Sequence, residues 1–149
     1  MSKRCALTGH RHLQADFDEN VLSDTLEKLI KEGCHKFYCG MALGFDLTAL
    51  SCLFKLKKKY EFTIEACIPF AGQERFFSEE DKQLYRKLLE GCDQKTVLSE
   101  RYFNGCYMVR NRYMVDNSEI ILAYCRQNSG GTVYTVEYAR KSGKTIYKI

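Results

Sequence analysis

The chain has 149 residues, of which 45% are hydrophobic and 28% are charged, and its formal net charge is +4. This length predicts one domain, 1–149, and the composition is that of an ordinary globular protein. The eight cysteines contain no C-x-x-C pair, and no apolar run is long enough to span a membrane. We therefore expect a reduced cytoplasmic protein that holds no metal and no cofactor and does not associate with membranes.

Short apolar runs that predict strands alternate along the chain with amphipathic segments that predict helices. In chain order, the predicted elements are strand 4–8, helix 17–31, strand 36–39, helix 46–60, strand 62–68, helix 79–90, strand 95–98, helix 105–116, strand 120–124, helix 135–142 and strand 145–147. This alternation predicts an α/β fold, in which helices cover both faces of a mainly parallel sheet. Ligands of such sheets bind beyond the carboxyl ends of the strands, where the strand order switches.

The segment Ser129-Gly130-Gly131-Thr132 follows the predicted strand 120–124 and leads into a helix. Two glycines at such a junction let backbone N–H groups approach an anion without interference from Cβ atoms. The hydroxyl groups of Thr132 and Thr135 add hydrogen-bond donors. Glu137 lies one to two turns inside the helix, and we expect it to reach the molecule that carries the anion. The segment predicts a site for a phosphate-bearing ligand such as a nucleotide or a sugar phosphate.

Two further loops directly follow predicted strands, Thr8-Gly9-His10-Arg11 and Gly40-Met41-Ala42-Leu43-Gly44-Phe45-Asp46. In the first loop, Arg11 can make a bidentate contact with phosphate, and His10 can donate a hydrogen bond or act as an acid or base. The alternative is a simple turn with exposed polar side chains. In the second loop, the glycines suit a phosphate or a ribose, and Asp46 either caps the following helix or binds a ribose hydroxyl.

Arg110 and Met114 are four residues apart on a predicted helix, so they share one face. If Met114 packs inward, Arg110 is drawn toward the sheet and its carboxyl edge, where it can contact a ligand. The alternative is a salt bridge on the helix surface. Asn111 lies next to Arg110, and Asp116 ends the helix.

Gln73, Glu74 and Arg75 follow Pro69-Phe70 in the loop after the third predicted strand, and we expect them to form a wall or lid of the site. Tyr102, Phe103 and Tyr107 lie between the fourth strand and the following helix. These aromatic side chains can stack on a base, fill the core or form the face of a homodimer.

These segments, in this order and across nearly the whole chain, resemble the YpsA-like proteins (the DUF1273 family). That family belongs to the SLOG superfamily of Rossmann-like domains, together with the DNA-processing DprA proteins and the "lonely guy" phosphoribohydrolases. The resemblance implies a single Rossmann-like three-layer α/β/α domain that binds a nucleotide or a nucleotide-derived ligand. The residues that we predict to contact this ligand are Thr8, Gly9, His10, Arg11, Gly40, Met41, Gly44, Asp46, Pro69, Phe70, Gln73, Arg110, Asn111, Asp116, Ser129, Gly130, Gly131, Thr132 and Thr135.

The C-terminal half of the chain resembles the phosphoribohydrolase pattern, which is R-K-x-x-M, then a strand, and then P-G-G-x-G-T-x-x-E. Here Arg110 and Met114 keep the first spacing, and Gly130-Gly131 and Glu137 keep the second. The resemblance implies that, in an enzyme, Arg110 holds the ligand and Glu137 assists at the ribose when the base is cleaved from it. The chain differs from the pattern at four positions, namely Asn111, Ser129, Val133 and Tyr134.

Three functions are therefore open. The first is binding of a nucleotide or a nucleotide derivative at the carboxyl edge of the sheet. The second is hydrolysis of the N-glycosidic bond of a nucleoside 5′-monophosphate, and the third is a protein-interaction module, including a homodimer. A net charge of +4 without a basic stripe argues against nucleic acid as the partner.

Overall fold

Strands and helices alternate from end to end in the computed structural model, which describes residues 2–149. The strands are β1 (Lys3–Gly9), β2 (Cys34–Cys39), β3 (Thr63–Ile68), β4 (Gln94–Val97), β5 (Ile120–Tyr124) and β6 (Thr145–Lys148). The helices are α1 (Glu19–Lys31), α2 (Phe45–Leu56), α3 (Glu79–Glu90), α4 (Cys106–Asp116) and α5 (Gly131–Lys141). A short 3₁₀ turn at Gln73–Phe76 precedes α3 and was not predicted. The predicted α/β fold is confirmed.

All six strands pair in parallel, in the order β4-β3-β2-β1-β5-β6. The strand order switches between β1 and β5, because the chain builds outward from β1 through β4 and then crosses back to β5. Parallel sheets of this kind open a crevice at the switch, beyond the carboxyl ends of the strands. The fold therefore places the loops after β1, β2 and β5 next to one another.

Side chains of successive strand residues point to opposite faces of the sheet. Cys5 and Leu7 of β1 belong to the larger core cluster, which also contains the apolar sides of α1, α2 and α3. Ala6 belongs to a smaller cluster, where Met114 of α4 and Ala139 of α5 pack. The domain thus has three layers, with three helices on one face and two on the other. None of the helices within residues 2–149 has the length and hydropathy needed to cross a membrane.

The N-termini of the helices fall into two groups. Asp18 and Ser78 cap α1 and α3, because their side-chain oxygens accept hydrogen bonds from the backbone N–H groups of Asn20 and Asp81. By contrast, α2, α4 and α5 begin after glycines, which provide no side-chain cap. The first turns of α2, α4 and α5 therefore carry no side-chain cap.

The predicted start of α5 at residue 135 is wrong, because the helix begins at Gly131. Glycine and β-branched residues have low helix propensity, so the segment around Thr132 and Val133 has the composition of a loop. Burial of Thr132 and Val136 outweighs that preference. The opposite error occurs in α2, which ends at Leu56 although the prediction extended it to residue 60.

A buried carboxylate fixes α4 to the sheet. Glu65 of β3 accepts hydrogen bonds from the Tyr113 hydroxyl at 2.7 Å and the Thr96 hydroxyl at 2.9 Å, and the Lys36 ammonium lies 3.0 Å from its other oxygen. Burial raises the pKa of Glu65, but the hydrogen bonds outweigh burial, and the net pKa is below its usual value. Glu65 is therefore a charged anchor for Tyr113, which lies one turn from Arg110 on α4.

Replacing Tyr113 with Phe removes one hydrogen bond to this carboxylate. We expect Tyr113→Phe to lower the free energy of unfolding by about 1.5 kcal/mol, which is the usual contribution of a hydrogen bond to a charged group. Urea unfolding at neutral pH measures the change. Tyr147→Phe is the matched control, because the Tyr147 hydroxyl has no protein partner within residues 2–149. Equal stabilities for the two variants would contradict the anchoring role of Tyr113.

Candidate functional site

A cleft of about 420 Å³ opens at the carboxyl edge, where β1, β2 and β5 end. The predicted ligand-binding residues that line it are Thr8, Gly9, His10, Arg11, Gly40, Asp46, Arg110, Asn111, Gly131 and Thr132. The lining residues absent from the predicted set include His12, Ala42, Tyr107 and Gln127. Each of these follows a strand end or begins a helix at the same edge, so the rule that identified the other loops could have identified them.

The side chain of Arg110 is the buried cation of the cleft, with only 5% of the residue exposed. Its Nη1 donates to the Gly40 carbonyl oxygen at 2.5 Å, and its Nε donates to the Asn111 Oδ1 at 2.7 Å. Among residues 2–149, no carboxylate oxygen lies within 4.0 Å of this guanidinium. The positive charge of Arg110 is thus positioned by neutral groups and is available to an anionic ligand.

Glycine at position 40 is a steric requirement of this arrangement. A Cβ atom at Gly40 would lie 2.6 Å from Nη1 of Arg110 and 2.8 Å from its Cζ, which is closer than real contacts allow. The guanidinium therefore packs closely against the backbone at the end of β2. Gln73 supports the same carbonyl from behind, because its Nε2 donates to the Gly40 oxygen at 3.2 Å.

Asp46 supplies a carboxylate to the lining of the cleft. It is the second residue of α2, and Gly44 occupies the N-cap position, so the capping role in the prediction is wrong. Instead, Asp46 Oδ2 accepts from the Ala42 N–H at 3.2 Å and closes the loop after β2. Burial raises the pKa of Asp46 to about 6, although the charge of Arg110 and the bond from Ala42 act in the opposite direction. Such a perturbed carboxylate in a cleft is typical of a functional site.

The N-terminus of α5 is open to the cleft. Gly130 is the N-cap residue with φ of 108°, and Gly131 begins the helix and is exposed. The Tyr134 N–H donates to the Gly130 carbonyl, so the N–H groups of residues 131–133 come before the helical hydrogen-bond ladder. A Cβ atom on Gly131 would meet nothing within 4 Å. These amides and the helix dipole make an accessible site for an anion.

A short hydrogen-bond chain connects Arg110 to this helix N-terminus. Asn111, which accepts from Arg110, donates through its Nδ2 to the Thr135 hydroxyl oxygen at 3.0 Å. The Thr135 hydroxyl then donates to the Gly131 carbonyl at 2.8 Å. Thr135 is buried, and its hydroxyl donates its hydrogen bond within the protein. Thr135 therefore positions α5 from behind the cleft.

His10 also has a positioning contact. It is 8% exposed, and its Nε2 accepts from the backbone N–H of Arg126 at 2.8 Å. Burial lowers the pKa of His10, so the neutral ring that this hydrogen bond requires is favoured. His10 ties the loop after β1 to the loop after β5, and the lone pair that an acid–base role needs is already occupied.

Several predicted ligand-binding residues lie behind or beside the cleft and do not line it. These residues are Met41, Gly44, Pro69, Phe70, Gln73, Asp116, Ser129, Gly130 and Thr135. Met41 is fully buried in the core, and Gly44 packs against the Arg11 carbonyl with φ of 80°. Asp116 lies on the outside of α4, where it accepts from the Tyr138 hydroxyl at 2.7 Å. The strand-end rule therefore identified the loops that surround the cleft but not the direction of each side chain.

Glu137 lies on the outer face of α5, where it pairs with Arg140. It follows the cleft residue Thr132 by five positions, and at 3.6 residues per turn this rotation is about 140° around the helix. Glu137 borders a separate surface depression with Tyr134 and Lys141. Of the two predicted catalytic residues, the structure therefore brings only Arg110 to the cleft.

We expect Arg110 and Asp46 to be energetically coupled. Arg110→Met removes the positive charge that most lowers the pKa of the buried Asp46, and it removes one donor from the Gly40 carbonyl, so it should cost about 3 kcal/mol. Adding Asp46→Asn should restore on the order of 1 kcal/mol of that loss. Urea unfolding of the wild type, the two single variants and the double variant measures the coupling. Strictly additive changes would contradict it.

The raised pKa of Asp46 predicts the sign of a pH effect. Because the folded protein binds this proton more readily than the unfolded chain, the stability cost of Asp46 is present above pH 6 and declines as the pH falls toward 4. The wild type should therefore be less stable than Asp46→Asn at pH 7.5, and the difference should shrink by pH 4.5. Chemical unfolding across this range tests it, and a constant difference would refute it. His10→Gln serves as the comparison. Because burial lowers the pKa of His10 in the folded protein, the wild type should lose stability relative to His10→Gln as the pH falls, which is the opposite sign to the effect of Asp46.

Solved structures share this fold. DNA processing protein A (DprA) from Streptococcus pneumoniae superposes with a TM-score of 0.72 at 17% identity, covering 99% of this chain. The chain spans 50% of the length of that DprA chain. The structure of DprA from Helicobacter pylori is described as showing a single-stranded DNA binding mode. It superposes with a TM-score of 0.69 at 17% identity, and the match covers 98% of this chain and 64% of that DprA chain.

Sequence comparison identifies closer relatives. The SPbeta prophage-derived protein YoqJ of Bacillus subtilis (strain 168) is 31% identical over 137 residues, which cover 83% of this chain and 80% of YoqJ. A family model named YpsA and described as the YspA SLOG family matches residues 6–149. Since this match covers nearly the whole domain, including every loop of the cleft, the chain belongs to the YpsA family of SLOG proteins.

Proposed function

We propose that the cleft binds a nucleotide or a nucleotide-derived small molecule through its phosphate. The observation that carries this proposal is the exposed, uncapped N-terminus of α5 beside a buried arginine that has no ion-pair partner among the described residues. Amides at a helix N-terminus and an arginine are the two groups that proteins most often use for phosphate. A volume of about 420 Å³ is within the range of small-molecule sites.

The charges in the cleft suit the parts of a nucleotide. The phosphate would lie on the amides of residues 131–133, with Arg110 on the side of β2. Asp46 has one carboxylate oxygen bonded to Ala42, and its other oxygen can accept from a ribose hydroxyl. Tyr107 lines the cleft, and the Arg11 guanidinium lies 5.3 Å from the centre of its ring. The Arg110 guanidinium lies 5.7 Å from the same ring centre, so a base would stack on Tyr107 by taking the place of the exposed Arg11 guanidinium.

Binding alone is favoured over hydrolysis of the glycosidic bond. A hydrolase needs a carboxylate at the ribose, and Glu137 lies on the opposite side of α5 from the cleft. The net charge of +4 does not exclude a nucleic-acid partner, since a structural neighbour is described as binding single-stranded DNA. The size of the cleft nevertheless favours a small nucleotide. Seven buried free thiols are consistent with a reducing, cytoplasmic setting for such a ligand.

Gly131→Ala is the sharpest test of the phosphate site. The added methyl group fits the fold, because nothing lies within 4 Å of it, but it enters the space through which a phosphate approaches the amides. We expect micromolar binding, about −8 kcal/mol, for at least one nucleotide in a panel of mononucleotides and ADP-ribose. Gly131→Ala should weaken this binding at least tenfold while thermal stability is unchanged. Isothermal titration calorimetry measures the affinity.

Glu137→Gln is the matched control, because it alters the same helix on its outer face. This variant should bind like the wild type. Failure of the wild type to bind any nucleotide at millimolar concentration would refute the proposal. Wild-type affinity in Gly131→Ala, or a loss in Glu137→Gln equal to that in Gly131→Ala, would refute the assigned position of the phosphate.

A further inference from the structure

Two arginines of the cleft, Arg11 and Arg110, contact the same aromatic ring. The guanidinium carbon of Arg11 lies 5.3 Å from the centre of the Tyr107 ring, and that of Arg110 lies 5.7 Å from it. All three residues line the cleft. Arg11 follows β1, whereas Tyr107 and Arg110 belong to α4. The cleft therefore contains two neighbouring guanidinium groups, of which that of Arg110 is buried and that of Arg11 is exposed.

The charges of these two arginines exceed the negative charge of the cleft lining. Among residues 2–149, no carboxylate oxygen lies within 4.0 Å of either guanidinium. Asp46 is the acidic residue of the lining. Burial raises its pKa, and the charges of Arg110 and Arg11 both oppose that rise, so both arginines act on this one carboxylate. The dipole of α5 adds further positive potential at the same cleft.

Arg110 has one guanidinium nitrogen left for a ligand. Its Nη1 and Nε donate to Gly40 and Asn111, and its Nη2 has no acceptor in the described part of the chain. In that part of the chain, no fully buried side-chain nitrogen or oxygen lacks a hydrogen-bond partner. The Nη2 of Arg110 is therefore not sealed in the core, and a ligand in the cleft can reach it.

A single phosphate on α5 does not need Arg11. Such a phosphate would meet the N–H groups of residues 131–133 and the Nη2 of Arg110. Each of the three terminal oxygens of a phosphate monoester then has a donor. The guanidinium of Arg11 is left over, because it donates no hydrogen bond within residues 2–149 and only lies over the Tyr107 ring. Its donors are available to a second anionic group.

A second phosphate beside the first would draw Arg11 away from Tyr107. The cation–π contact of an exposed arginine is weak, whereas a phosphate binds a guanidinium through two charge-assisted hydrogen bonds. When Arg11 turns from the ring to the phosphate, the face of Tyr107 becomes free for the base. Binding of the second phosphate and stacking of the base would therefore support each other.

We infer that the ligand of this cleft carries a diphosphate group, with its first phosphate on α5 and Arg110 and its second phosphate on Arg11. This inference rests on the proposed function, because the first phosphate occupies the site described above. A diphosphate group occurs at the end of a nucleoside diphosphate and, as a diester, inside a nucleotide sugar.

Calorimetry with AMP and ADP, in buffer without divalent cations, tests the inference on the full chain. The wild type should bind ADP about tenfold more tightly than AMP, or better, since hydrogen bonds to a charged group are added. Arg11→Gln should abolish this advantage and leave the affinity for AMP unchanged. Arg126→Gln is the matched control, because it removes the same charge from an exposed arginine that lies over Tyr124 and outside the cleft lining. This control should keep the advantage of ADP.

The outcomes separate this inference from the proposed function. If AMP binds and ADP binds no more tightly, the inference is overturned and the phosphate site stands. If Arg11→Gln weakens AMP as much as ADP, both arginines hold one phosphate, and the inference is overturned. The same holds if Arg126→Gln removes the advantage as fully as Arg11→Gln. If neither nucleotide binds, the proposed function itself fails.

ADP-glucose distinguishes the two sources of the diphosphate group. If it binds as tightly as ADP and loses that affinity in Arg11→Gln, the inference is supported and a diphosphate diester fits the cleft. If ADP keeps its advantage over AMP and ADP-glucose does not, the inference is supported and the second phosphate is a terminal one.

Discussion

The contact between the Arg110 guanidinium and the Gly40 carbonyl is the constraint on which the rest of the site depends. It joins the end of β2 to α4, and the bonds through Asn111 and Thr135 continue from α4 to the first residue of α5. The loop after β2, helix α4 and the start of α5, which are far apart in the sequence, are therefore held at fixed positions around one cleft. The buried charge does not serve as half of a salt bridge. It is positioned by neutral oxygens, so the phosphate of the proposed ligand would complete its coordination without displacing a protein carboxylate.

The N-termini of α1 and α3 are capped by side chains, whereas that of α5, which borders the cleft, is not. Asp18 and Ser78 bond to the first-turn amides of α1 and α3, which lie away from the cleft. At α5, Gly130 takes the N-cap position with positive φ, and no side chain covers the amides. A side-chain cap at that position would add stability. The open N-terminus instead keeps three donors free beside Arg110, which is what an anion-binding helix needs.

The sequence allowed the sheet, the order of elements and the loops of the site to be predicted, because each depends on a local pattern. Alternation of apolar runs and amphipathic segments predicts a parallel sheet, and a parallel sheet gathers the loops after its strands at one edge. The start of α5 was wrong, because the burial of Thr132 and Val136 outweighs the loop-like composition of the segment. Glu137 was expected to reach the ligand because it follows the glycines closely in the sequence. Closeness in sequence does not fix the direction of a side chain on a helix, and Glu137 faces solvent, where it pairs with Arg140.

The electrostatics of Asp46 bear on the chemistry of the ligand. A carboxylate whose pKa is raised to about 6 destabilises the folded protein at neutral pH, and asparagine could accept the same hydrogen bond from Ala42 without that cost. The retained charge is therefore explained better by a ligand than by the fold. A phosphate alone would be repelled by Asp46, whereas a ribose hydroxyl would donate to it. A cation and a carboxylate in the lining of one cleft thus favour a ligand that carries both a phosphate and a hydroxyl group, which is the chemistry of a nucleotide.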